Sequence, residues 1–156
     1  RIRRGLAYSV GSGLSEGYRI PGIFYVYAIT RADATGQVIE LLLKEMEKIR
    51  EVEIPAGRAN RIRNAAVNRT VFRYTSAHAI AGRNAVDDLL AIPPGFFEEQ
   101  LEKIKVLTPG NLLVYAFDHL RPEEAVIVVV GNGSLFDRKL EEFGEVVVVK
   151  LVNPQY

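Results

Sequence analysis

The chain has 156 residues, 48% hydrophobic and 25% charged, which is the range of a soluble domain with a real core and argues against disorder. Lys and Arg number 20 against 19 Asp and Glu, so the formal charge of +1 gives no global attraction to nucleic acid or to an anionic membrane. Cysteine is absent, which removes disulfides, thiolate zinc sites and a cysteine nucleophile together and leaves both the cytoplasm and the periplasm open.

In chain order, Tyr8, Val10 and Leu14 fall on even positions, and Ile23, Tyr25, Tyr27 and Ile29 on odd ones. Both stretches have the period of two that marks strands, and Ser15-Glu16-Gly17 supplies turn residues for an antiparallel hairpin. Pro21 and Gly22 suggest a bulge or an edge position. Ile39, Leu42, Leu43, Met46 and Ile49 then recur at helical spacing, with Lys44, Glu45, Glu47 and Lys48 outward, until Pro55 and Gly57 close the region.

A basic helical stretch follows over about Ala59 to Tyr74, and Thr75 or Ser76 can cap the next helix, Ala77 to Leu90. Pro93-Pro94-Gly95 is a breaker, after which Phe96, Phe97, Leu101 and Ile104 are again helical in spacing. Thr108-Pro109 reads as an N-cap followed by a first-turn proline. The runs Ala125 to Val130 and Val146 to Leu151 are β-branched and of strand length, separated by a helix expected over Leu135 to Phe143 and ended by Gly144. The first of them is far short of the roughly 20 apolar residues that span a bilayer, and no basic-then-apolar leader precedes it, so a soluble chain without a membrane span is expected.

Strands, then a block of helices, then strand, helix and strand argue an α+β fold. The expected architecture is a small mixed, largely antiparallel sheet with helices packed on one face, in a single domain over residues 1–156.

The segment Arg1-Ile2-Arg3-Arg4-Gly5-Leu6-Ala7-Tyr8-Ser9-Val10 resembles the arginine, spacer, Gly-Leu-Ala-Tyr-Ser-Val sequence in the C-terminal domain of the insulinase, pitrilysin and mitochondrial-processing-peptidase family of zinc peptidases. Further landmarks recur in that family's order: Pro21-Gly22-Ile23-Phe24, Ile92-Pro93-Pro94 with Phe96-Phe97, Leu107-Thr108-Pro109, and Val128-Val129-Val130-Gly131. The resemblance implies paired homologous domains enclosing a chamber. The zinc then sits in a homologous partner domain or subunit with an inverted His-x-x-Glu-His motif, and this chain binds no cofactor. It also implies strands and a helix upstream of Arg1, so the chain reads as the C-terminal part of a domain, N-terminally truncated, whose uncovered surface is expected to make the fragment self-associate.

The same resemblance implies that Arg1 and Tyr8 hold a peptide or protein substrate near the metal. The chemistry suits them: a tyrosine hydroxyl donates to a peptide carbonyl oxygen, and a guanidinium offers five N–H groups in a planar fork. If the leading residues are helical, about 3.6 residues per turn brings the two side chains onto nearly one face. The bland reading is a solvated charged turn and an ordinary strand aromatic.

His78 and His119 have no metal-ligand spacing, and Pro122 follows His119 too closely for a helical ligand pair, so both read as structural or surface residues. Gly131-Asn132-Gly133-Ser134 fails as a dinucleotide loop because Phe136 occupies the third glycine position. Arg58, Arg61, Arg63, Arg69 and Arg73 crowd one helical region, a departure from the family, which tends to carry acidic residues near this helix's start. Without clustered aromatics this region reads as a solvated face or as a chamber wall attracting acidic peptides, and nucleic acid is not an expected partner. The expected function is therefore a non-catalytic domain that positions peptide for a zinc site elsewhere, and the alternative is a catalytically silent assembly subunit of the same fold.

Overall fold

Period-two alternation on either side of a turn produces two antiparallel strands in the computed structural model, which describes residues 5–15, 17, 21–71 and 76–149, without the side chains of residues 70 and 71. These are β1 (Ala7–Leu14) and β2 (Phe24–Thr30), followed by the helices α1 (Thr35–Glu51), α2 (Ala56–Val71), α3 (Ala77–Leu89), α4 (Phe96–Lys105) and α5 (Pro109–His119). The α+β class expected from the sequence is borne out. Proximity divides the chain into two compact units. Of the described residues, one unit holds β1, β2, α1 as far as Lys44 and the stretch 126–149, and the other holds 45–71 and 76–125.

In the first unit the ribbon register sets Gly11 opposite Tyr27 and Gly13 opposite Tyr25. Each ring lies across its glycine so closely that a Cβ at Gly11 would stand 2.6 Å from Tyr27 Cε1, and one at Gly13 would stand 2.5 Å from the Tyr25 hydroxyl. Glycine is therefore what lets these rings lie flat on the neighbouring strand. The ribbon is closed at its turn by the Ile23 N–H, which donates to Ser15 Oγ at 2.7 Å, and at its open end by the Thr30 hydroxyl donating to the Leu6 carbonyl.

The first turn of α1 contains no acidic residue. Its free N–H groups are met instead by Asp137, whose carboxylate accepts from Gly36 N at 2.7 Å and Gln37 N at 3.0 Å. Arg138, next along, donates to Glu40 at 2.9 Å and to Glu142 at 2.6 Å, while Glu40 also takes Lys44 at 2.6 Å. Ala34, Thr35, Gly36, Val38 and Ile39 are the buried residues among those described here, so the packed centre of this unit is the start of α1.

Three expectations are corrected in this unit. Ala125–Val130 and Val146–Val149 form no strand among the described residues, and Lys150 and Leu151 lie outside them. A strand exists only where its backbone finds a ladder partner; here Val126, Val128 and Val130 are 90%, 82% and 87% exposed, so valine propensity stands without pairing. The helix expected over Leu135–Phe143 is replaced by two short 3-10 turns, Gly133–Leu135 and Leu140–Glu142. Asp137 and Arg138 are both drawn to α1, which holds Phe136 and Lys139 in extended backbone and interrupts any helix. The expected mixed sheet is accordingly a two-stranded ribbon among the described residues.

In the second unit the capping expectations hold. Ser76 accepts from Ala79 N at the start of α3, and Thr108 forms a capping box with Asn111 ahead of first-turn Pro109 in α5. Helix α3 ends with Ala91 N donating to the Asp88 carbonyl and Ile92 N to the Asp87 carbonyl, a Schellman arrangement in which Ala91 adopts φ +52°. The helices are tied by polar contacts as much as by apolar ones: Arg63 donates to the Leu107 carbonyl at 2.9 Å, and the Arg83 guanidinium lies 3.9 Å from the centre of the Phe97 ring.

Candidate functional site

A register irregularity between Ala7 and Ser9 singles out Tyr8. Ala7 pairs with Thr30 and Ser9 with Ile29, so β1 takes two steps where β2 takes one, and Tyr8 is the residue in the bulge. Such an extra residue leaves the regular alternation and re-aims its side chain. The Tyr8 side chain is 78% exposed rather than sealed in a core, with a hydroxyl able both to donate and to accept. Its sequence-expected companion, Arg1, lies outside the described residues, so the pair itself is not brought into view.

The ribbon around Tyr8 is apolar on both sides. Tyr25, Tyr27 and Ile29 are exposed on the face shared with the glycines, and Val10 and Leu14 on the other. With two strands, each has one backbone edge without a ladder partner among the described residues, which is the geometry onto which an extended peptide can add as a further strand.

The described residues do not fit a metal. His78 lies on α3 and His119 ends α5, both exposed, and among the described residues no group of three or more His, Cys, Asp or Glu converges to hold an ion. No helix among those residues is long and apolar enough to cross a membrane. In the first unit a shallow cleft of about 370 Å³ is lined by Phe136, Asp137, Arg138, Lys139, Glu141 and Val148, and of its charged groups Asp137 and Arg138 are already committed to α1. Burial alone would push the Asp137 carboxyl up; the N–H groups of Gly36 and Gln37, with its own N–H and the Arg138 charge, overcome this and hold it below the usual carboxylate range. That lowering marks a helix cap.

On α2, Arg58, Arg61 and Arg69 are exposed, Arg63 is half-buried and turned to the Leu107 carbonyl and the Asn60 side chain, and Arg73 lies outside the described residues. Sequence reading missed Asp137 and the tyrosines seated on glycines. The second had a signal, because Gly11-x-Gly13 and Tyr25-x-Tyr27 fall opposite one another once the hairpin is put in register. The first had none, since 101 residues separate Asp137 from the N–H it caps.

Comparison with known proteins bears on the same region. Residues 1–66 match the family model described as the peptidase M16 inactive domain. Among solved structures, the chain is similar to a crystal structure of a peptidase M16 inactive domain from Pseudomonas fluorescens, with 18% identity and a TM-score of 0.67. The match covers 78% of this chain and 29% of that one, so the chain spans under a third of that relative's length, and at this identity the likeness speaks for the fold. No curated protein matches the chain.

Proposed function

We propose, proceeding from the two matches that together support a C-terminal, inactive domain of the M16 peptidase family, that this chain binds an extended peptide and positions it for a zinc site carried by a homologous domain or subunit. The observation that carries the reading is Tyr8, which stands exposed in a β-bulge inside the matched segment. Its hydroxyl serves as a hydrogen-bond donor to a peptide carbonyl, and Arg1, in the same matched segment, supplies a second set of donors. The ribbon's backbone edge, without a ladder partner among the described residues, offers hydrogen bonds to a peptide main chain, which recognises an extended backbone more than a particular sequence. The chain's own residues hold no metal in this reading, and no bond-breaking step is assigned to them.

A second reading, a catalytically silent assembly subunit, is favoured by the exposed valines at 126, 128 and 130, a surface suited to burial against another polypeptide. The two readings separate in an enzyme assembled from this chain and its zinc-bearing partner. Removing only the Tyr8 hydroxyl, as Tyr8→Phe, lowers peptide cleavage if Tyr8 positions substrate and leaves it unchanged if the chain only assembles the complex.

A further inference from the structure

Resting on the polypeptide-binding reading above, we infer that the exposed stripe of α2 binds an acidic stretch of polypeptide through Arg58, Arg61 and Arg69. At about 100° per residue these three arginines, with Ala65 and Asn68, fall within about 100° of arc on the helix, and all five are exposed. From Arg58 to Arg69 the stripe runs about 16 Å along the axis, which matches about five residues of extended peptide.

What sets this stripe apart is how the chain treats its other arginines. Outside α2, every described arginine is ion-paired: Arg31 with Asp33, Arg50 with Glu123, Arg83 with Asp87, Arg121 with Glu124, and Arg138 with Glu40 and Glu142. On α2, Arg58, Arg61 and Arg69 form no ion pair with a described residue, and the helix contains no Asp or Glu of its own. The three glutamates of α4, the helix that packs on α2, form no ion pair with α2 among the described residues: Glu99 is taken by Lys103 at 2.7 Å and Glu102 by Lys105 at 2.6 Å, and Glu98 stands exposed in the first turn.

Arg58 also sits in the first turn of α2, where the helix dipole disfavours a cation, and no acidic residue there offsets it. An incoming carboxylate relieves that repulsion and gains the forked, multi-donor geometry of guanidinium. A peptide is favoured over a nucleic acid because α2 carries no aromatic side chain on which bases could stack and the whole chain has a formal charge of only +1.

The test is fluorescence anisotropy on the full chain with three labelled probes: a glutamate-rich peptide, the same peptide with glutamine at every glutamate, and a single-stranded oligonucleotide. The acidic peptide is expected to bind about tenfold tighter than its glutamine counterpart at low salt, with the difference shrinking as salt rises. Arg58→Gln, Arg61→Gln and Arg69→Gln together should abolish the difference, and lysine at the same positions should retain most of it. Helical circular dichroism checks that the variants fold, and Arg61→Gln alone, expected to lose about two- to threefold, serves if the triple variant does not. Equal binding of the two peptides overturns the charge selection while leaving the polypeptide reading intact. Binding of neither peptide overturns both. An oligonucleotide that binds more tightly than the acidic peptide and competes with it assigns the stripe to phosphate and also overturns the inference.

Discussion

The carboxylate of Asp137 caps the backbone N–H of Gly36 at 2.7 Å across 101 residues of sequence, and so fixes the start of α1 to a segment near the other end of the chain. Replacing Asp137 by Ala leaves two first-turn N–H groups without this partner and should cost about 1 kcal/mol of stability. The cost is pH-dependent, with a definite sign. The folded carboxyl titrates below its unfolded value, so its contribution is fully present above about pH 4 and is lost as pH falls through the folded value. Denaturant unfolding of the wild type and the variant should therefore differ by a constant amount near neutrality and converge in acid.

Gly36 itself gives a prediction in which two principles oppose each other. Alanine in a helix is ordinarily about 1 kcal/mol better than glycine. Here its Cβ would stand 2.7 Å from Arg138 Cβ, an atom fixed to the backbone. Overpacking of this kind costs about 1–3 kcal/mol, so Gly36→Ala is expected to lower Tm, whereas propensity alone predicts a rise.

At the end of α3 the expectation reverses. Ala91 occupies the left-handed position of a Schellman motif with φ +52°, a conformation that costs an L-residue about 1 kcal/mol and glycine almost nothing. Ala91→Gly should raise stability by about 0.5–1 kcal/mol in thermal or denaturant unfolding. No change in Tm would contradict the cap geometry.

What was legible in the sequence was local. Hydrophobic spacing located the hairpin, α1 and α4, a basic stretch located α2, and Ser76, Thr108 and Pro109 marked the starts of α3 and α5 within a residue or two. What was not legible depended on distant partners. Val126 to Val130 has strand chemistry, yet whether it pairs depends on a neighbouring backbone. The Leu135 to Phe143 stretch has helical spacing, yet the pull of Gly36, Gln37 and Glu40 on Asp137 and Arg138 decides its path. Of the two residues expected to hold substrate, Tyr8 stands exposed in a bulge that periodicity gives no hint of, and Arg1 falls outside the described residues.

The exposed valines lead to a prediction about association. The exposed side chains of Val126, Val128 and Val130 are expected to draw copies of the isolated chain together at high concentration. Sedimentation velocity should show a concentration-dependent coefficient that Val128→Lys reduces. A clean monomer across the concentration range would count against it.

The most direct test is the turnover of a peptide by the enzyme assembled from this chain and its zinc-bearing partner, with Tyr8 compared against Tyr8→Phe. Loss of a donor aimed at a carbonyl oxygen should lower kcat by about 10²–10³ while the unfolding transition stays where it was, because the side chain is largely exposed. An unchanged kcat would remove Tyr8 from the site and leave the chain as an assembly subunit.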